Sequence, residues 1–263
     1  MAIAADLATA LDPVLLSRRA GIEPDGWQAD VLRSPSPRVV LNCSRQSGKS
    51  TTTATLAVHT AVYQPASLVL LLAPGLRQSG ELFKKCAAVY RALDKPVPAD
   101  SETALTLTLE NGSRIVSLPG REGTIRSYSG ARLILVDEAS RVADETYFAV
   151  RPMVAVSGGR LVLMSTPFGT RGFFHEVWTA GGPDWQRIEV PATACPRISA
   201  GFLAEERRAM GNWWFEQEYL CSFKDAADAV FRLADIQAAF SPDAPPPLLG
   251  GTRAWPSTPT PSA

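Results

Sequence analysis

Net charge is absent from this sequence: 26 Lys and Arg are balanced by 26 Asp and Glu over 263 residues. Neutrality lends no support to nucleic-acid binding through bulk charge, so any basic groove has to be local. Cysteine is scarce. The four residues Cys43, Cys86, Cys195 and Cys221 lie far apart with no C-x-x-C pair. That spacing argues against a zinc site and a dense disulfide framework, and points to a reducing compartment. His59 and His175 are isolated and suggest no metal cluster. No apolar run approaches the ~18 residues that a bilayer span needs. The N-terminus has neither the charged start nor the apolar core of a signal peptide. A soluble, cytoplasmic protein with no membrane partner is expected.

What is present is apolar mass. Hydrophobic residues make up 46% of the chain, enough for one substantial core and a small annex. Continuous apolar runs read as strands at Val39–Asn42, Leu68–Ala73, Leu133–Val136 and Leu161–Ser165, with a further strand at Gln186–Val190. Strands without alternation are those covered on both faces. Helical patterns separate them near Lys49–Tyr63, Gln78–Leu93 and Asp144–Val156. The alternation predicts an α/β fold with a mostly parallel sheet. One segment breaks the rhythm: Thr103–Glu110 alternates, Asn111-Gly112 turns, and Ser113–Leu118 returns. Asn-Gly between alternating hydrophobics predicts an inserted antiparallel β-hairpin. Two more helices are expected at Gly201–Met210 and Asn212–Phe223. The reading divides the chain into a helical lead-in (1–32), a main domain (33–223), and a closing segment with a Pro-rich tail (224–263), expected to be disordered.

Four constellations carry chemistry. Val39–Thr51 runs from strand through the polar loop Ser44-Arg45-Gln46-Ser47-Gly48-Lys49-Ser50 into a helix. In that context backbone N–H groups and a lysine cradle nucleotide phosphates, and a hydroxyl holds Mg²⁺. The match to G-x-x-x-x-G-K-[ST] is imperfect, because Cys43 stands where the first glycine belongs. Cys43 reads either as a mildly reactive thiol beside Arg45 or as a small residue tolerated there. Second, the apolar strand Leu133–Val136 delivers Asp137 and Glu138 at its C-terminal end, where ligands sit in open parallel sheets. With the Lys49 loop, Asp137 and Ser50 read as metal ligands and Glu138 as the carboxylate that polarises an attacking water. Taken alone, the pair reads rather as solvated carboxylates opening a helix.

Third, Ser165-Thr166-Pro167 ends another buried strand and reads as a γ-phosphate sensor or, more plainly, as capping hydroxyls. Fourth, Trp27-Gln28 lies just before the first strand. The Gln28 amide is suited to an adenine edge with Trp27 packed nearby, the alternative being an ordinary helix with one buried Trp. Arg45, Arg126 and Arg132 are candidates for an arginine finger.

Taken in order, Trp27-Gln28, Ser44–Ser50, Thr124-Ile125-Arg126, Leu135–Ala139 and Ser165-Thr166-Pro167 resemble the ATPase domain of the large terminase subunit of tailed bacteriophages. Glu189–Ala192 and Phe215–Leu220 resemble the segment that closes it, so the likeness runs from Gly26 to Phe231. That family commonly lacks the first loop glycine, which makes Cys43 supportive. The resemblance implies a three-layer P-loop NTPase of the additional-strand, catalytic-glutamate type. It implies ATP and Mg²⁺ bound by Ser44–Thr51 and Asp137, and Glu138 as the catalytic residue. Gln28 and Trp27 would flank adenine. Ser165-Thr166-Pro167 would couple hydrolysis to DNA movement. Arg45 would act as a finger within the subunit and Arg126 on a neighbour.

The implied function is ATP hydrolysis driving double-stranded DNA into a procapsid, in the host cytoplasm. The implied partners are a ring of like subunits on a phage portal and the small terminase subunit. The family's nuclease domain would begin where the Pro-rich tail stands, and Asp225, Asp228 and Asp235 give no strand-borne acidic triad, so no DNA cleavage is expected. Two alternatives remain: an inactive or regulatory nucleotide-binding prophage remnant, and a helicase-like ATPase.

Overall fold

Leu68–Ala73 is apolar at every position and forms a strand (β2) buried at every position in the computed structural model. The described residues are 2–119, 122–125 and 127–225. The other strands are β1 (Arg38–Cys43), β3 (Ala99–Glu102), β4 (Thr106–Leu109), β5 (Arg114–Pro119), β6 (Leu133–Asp137), β7 (Arg160–Ser165) and β8 (Gln186–Val190). Together they make one sheet in the order β3-β4-β5-β2-β6-β7-β1-β8. From β5 to β8 every neighbouring pair is parallel, while β3–β4 and β4–β5 are antiparallel.

Alternate residues of one strand feed different cores, as the period of two requires. Val39, Leu41 and Cys43 of β1 join the cluster beneath α4 (Lys49–Tyr63) and α5 (Leu76–Ala92), whereas Val40 joins a second cluster with residues of α7 (Asp144–Ala155) and α8 (Phe173–Ala180). Helices on both faces make three layers. Before them, α1 (Ala2–Leu11), α2 (Pro13–Arg19) and α3 (Gly26–Arg33) form the lead-in. Val14, Leu16, Val31 and Leu32 from α2 and α3 sit in the same cluster as Val39 and Leu41.

The predicted hairpin is present as β4 and β5, with Gly112 in the turn at φ 80°. Asn111 fixes that turn by donating to the Ala61 carbonyl at 2.8 Å. Two features exceed the expectation. The return arm β5 also pairs in parallel with β2, so it belongs to the main sheet. A further edge strand, β3, has the sequence Ala-Asp-Ser-Glu and no apolar pattern by which to recognise it. After the short α6 (Glu122–Ile125), β6, β7 and β8 follow. The closing helices appear as α9 (Ala200–Tyr219), broken at Gly211 where φ is 78° and ψ 164°. Ala192, Leu203, Phe215 and Tyr219 form a small core of their own there. Asp228, Asp235 and the Pro-rich tail lie outside the described residues. Among the described residues, no helix is long and apolar enough to cross a membrane.

Strand order positions the site. β6, β7 and β1 are consecutive neighbours, with Asp137 opposite Met164 and Asn42 opposite Ser165. The loop after β1, the Asp137-Glu138 corner and Ser165-Thr166 therefore leave the same sheet edge side by side, about 4.8 Å apart per strand.

Candidate active site

The loop after β1 wraps the N-terminus of α4. Gly48 caps that helix at φ 98°, and a Cβ there would come within 2.6 Å of the Gln28 amide nitrogen. Only glycine fits both demands. The loop is anchored from outside. Ser44 N donates to the Val190 carbonyl at 2.9 Å and Arg45 N to that of Glu218 at 3.1 Å. Arg197 donates to the Ser47 carbonyl at 3.0 Å while pairing with Asp25 at 2.8 Å. Cys43 is fully buried at the end of β1. Burial pushes its thiol up to about 12, so it is a packing residue and not a reactive thiolate.

A cavity of about 740 Å³ opens over the loop, lined by Arg45–Thr51, by Asp137, Glu138, Arg141 and Thr166, and by Gln78, Glu81 and Lys85 of α5. The Lys49 ammonium lies 3.0 Å from the Glu138 carboxylate, and Ser50 Oγ donates to Asp137 Oδ2 at 3.2 Å. Burial, the largest influence on Lys49, pulls its pKa down. Glu138 and then Asp137 outweigh it, and the net shift is upward. Asp137 is also shifted upward, chiefly by burial and against the pull of Lys49. A desolvated carboxylate beside a hydroxyl is short of positive charge, and this donor set suits Mg²⁺, which takes one or two protein oxygens plus waters and phosphates.

Glu138 itself sits in the left-handed region (φ 49°, ψ 43°), with Arg141 N donating to its carbonyl at 2.9 Å and its own N–H to Asp137 Oδ1 at 2.9 Å. Such backbone is costly for a side-chain-bearing residue and gathers at functional sites. Next to it, Ser140 Oγ lies 2.7 Å from Ser165 Oγ and donates to the Thr166 carbonyl at 2.9 Å. Ser165 is buried inside this link and Thr166 faces the cavity, while α8 is capped by Gly172. Neither hydroxyl caps α8.

The other predicted positions scatter. Gln28 is buried and its carboxamide oxygen accepts from Asp25 N at 2.8 Å, closing a capping box on α3. Trp27 packs on the main core, its indole nitrogen buried without a partner. Neither lines the cavity. Arg45 reaches the cavity but its guanidinium is paired with Glu218 of α9. Arg126 lies outside the described residues. Arg132 stands before β6, at the opposite edge of the sheet, bonded to Gln64 and the Ser157 carbonyl. Sequence reasoning missed Ser140, Arg141, Arg197 and Glu218. Ser140 follows Asp137-Glu138-Ala139 directly and was within reach. Arg197 and Glu218 act across more than 140 residues and left no local signal.

Three likenesses bear on this site. The terminase large subunit of Thermus virus P23-45 is 24% identical over 251 residues, covering 82% of this chain and 52% of that protein. The large terminase ATPase domain of Thermus phage P74-26 superposes with a TM-score of 0.70 at 21% identity, covering 79% of this chain and 97% of that one. The large terminase of thermophilic bacteriophage D6E, solved with ATP-gamma-S, gives 0.60 at 13% identity, covering 75% and 52%. The chain spans about half the length of the curated relatives it matches. The sequence model described as terminase large subunit, T4likevirus-type, N-terminal, matches residues 40–238, three quarters of the chain, and the protein belongs to that family.

Proposed function

We propose that this chain binds Mg²⁺–ATP in the cavity over Lys49 and hydrolyses it as the motor domain of a large terminase, driving double-stranded DNA into a procapsid. The observation that carries the reading is the pairing of Lys49 with Glu138 beside the pairing of Ser50 with Asp137. A D6E relative solved with ATP-gamma-S and a P74-26 relative described as an ATPase domain support it.

The loop N–H groups at the N-terminus of α4 and the Lys49 ammonium hold the β- and γ-phosphates. Lys49 exchanges the Glu138 carboxylate for phosphate oxygens, which frees Glu138 to orient the attacking water and take its proton. Ser50 and Asp137 would hold the Mg²⁺, which would neutralise charge developing on the transferred phosphoryl group. Arg45 leaves Glu218 to reach the same group as a finger within the subunit, and Arg126 serves a neighbour's site. Gln28 and Trp27 are assigned to the adenine from outside the cavity lining, Gln28 through the amide nitrogen that lies beside Gly48. Ser165, Thr166 and Pro167 couple the site to DNA movement through the Ser140 link. The partners we assign are duplex DNA, a ring of like subunits on a portal and the small terminase subunit, in the host cytoplasm.

Phosphate release from ATP tests this. The chain releases phosphate and a Lys49→Ala variant does not; equal release by both would place hydrolysis elsewhere.

A further inference from the structure

The neutral chain concentrates positive charge at the sheet edge where the parallel strands begin, opposite the nucleotide cavity. Three hollows of about 410, 340 and 410 Å³ adjoin there, sharing Pro35 as one wall and Pro37 and Gly158 as the next. Arg33, Arg38, Arg132, Arg151 and Arg160 line them against two carboxylates, Asp30 and Asp184, with no lysine or glutamate. Arg38 and Arg160 are the first residues of β1 and β7, and Arg132 immediately precedes β6.

A simpler reading competes. Helices in such a fold end where strands begin, and cations there offset the helix dipole. Arg187 on β8 fits it, donating to the carbonyls of Trp178, Gly182, Trp185 and Val177. Arg33 and Arg38 are also accounted for, by Asp12 and Asp184. Arg160 and Arg132 fit it in part, meeting the last turn of α3 at Val31 and the residue just past α7 at Ser157, but among the described residues neither they nor Arg151 has a carboxylate to offset its charge. Among the described residues the Arg160 guanidinium makes one bond, to the Val31 carbonyl at 3.1 Å, and its Nε is buried without a partner. The Arg132 guanidinium, among the same residues, donates to the neutral Gln64 and Ser157 oxygens. Arg151 lies 5.5 Å from the Tyr147 ring centroid. Among the described residues, no carboxylate comes within ion-pair distance of these three. Burial lowers Arg160 to about 10, and it stays charged at neutral pH.

Uncompensated guanidinium forks over a proline-walled groove match phosphate oxygens. We propose that this groove grips the phosphate backbone of duplex DNA through Arg132, Arg151 and Arg160. It rests on the reading of the chain as a DNA motor, and adds the surface that holds the duplex. The groove is joined to the nucleotide site by a single strand: β7 begins at Arg160 and ends at Ser165, which is bonded to Ser140 beside Glu138.

The test is anisotropy of a fluorescein-labelled duplex of mixed sequence, titrated with the full chain over a range of salt. Basal ATP hydrolysis without DNA is measured on the same preparations. Arg132→Glu with Arg151→Glu alters two exposed side chains; Arg91→Glu with Arg208→Glu is the charge-matched control outside the groove. The groove pair weakens binding at least tenfold beyond the control, with basal hydrolysis unchanged. It also lowers the salt slope by about 2, because each phosphate left without its arginine accounts for ~0.9. Wild-type affinity in the groove pair, or an equal weakening in the control, overturns the groove while leaving the motor reading intact. A chain that hydrolyses ATP but binds no duplex overturns the groove together with the DNA part of that reading. A chain that binds duplex through the groove without hydrolysing ATP supports the groove and contradicts the motor alone.

Discussion

The Lys49 ammonium and the Glu138 carboxylate stand 3.0 Å apart, joining the loop after β1 to the corner after β6 across the intervening strand β7. In the proposed function a phosphate on Lys49 competes with this pair, and its separation would release Glu138 to face water. One contact would thus connect nucleotide binding to the readiness of the proposed catalytic carboxylate.

Nucleotide binding should therefore stabilise the fold through Lys49. With Mg²⁺–ATP at a hundred times its dissociation constant, the gain is about 2.7 kcal/mol, or on the order of 5–10 °C in melting temperature for a domain of this size. Thermal denaturation with and without nucleotide should show that rise in the wild type and none in Lys49→Ala. A comparable rise in both would mean that the lysine does not hold the phosphates.

Asp137 should trade stability for function. Its folded-state pKa is raised, chiefly by burial, above the ordinary carboxylate value. A raised pKa contributes stability at low pH that is lost as pH rises through the folded value, so the ionised carboxylate is a liability at neutral pH. Asp137→Asn should melt higher than the wild type at neutral pH without nucleotide, and the difference should shrink on acidification. Its Mg²⁺-dependent turnover should be lost. A lower melting point for the variant across the whole pH range would contradict the sign.

Gly48→Ala should be disruptive for two separable reasons. The backbone sits at φ 98° and the new methyl would meet the Gln28 amide at 2.6 Å. Strain of this kind costs about 1–3 kcal/mol, measurable by chemical denaturation, and nucleotide affinity should fall with it. Adding Gln28→Ala should recover the steric part and leave the conformational part. Full recovery, or none, would show that only one of the two operates.

Arg45→Ala should lower kcat by on the order of 10³, the low end for an arginine finger, with the KM for ATP changed only a few-fold because Lys49 still holds the phosphates. Steady-state kinetics decide it. A large KM effect at unchanged kcat would make Arg45 a binding residue.

How much of this was legible in the sequence follows from what each feature depends on. Leu68–Ala73 and Leu133–Val136 could be read because a strand covered on both faces has to be continuously apolar. Asn111-Gly112 could be read because a tight turn needs a positive φ at Gly112. The edge strand Ala99–Glu102 has one intermediate and three exposed positions and carries no such imprint. Gln28 carries a second signal that sequence reasoning missed. Asp25-x-x-Gln28 has the spacing of a capping box, which the structure closes, whereas the sequence suggested an amide suited to a base or an ordinary helix. The pairs Arg45–Glu218 and Asp25–Arg197 join residues 173 and 172 positions apart. Of the arginines of the groove, Arg132 and Arg160 precede or begin separate strands while Arg151 lies on α7. No run of charge marks them, and the neutral total conceals them.

The most direct test is ATP turnover by Glu138→Gln beside its affinity for ATP. The amide keeps the size of the carboxylate but cannot accept a proton, so ATP should still bind while phosphate release falls by at least about 10², the lower bound for removing a positioned general base. A Glu138→Gln variant that turns ATP over at the wild-type rate would contradict the assignment of this cavity as the site of hydrolysis.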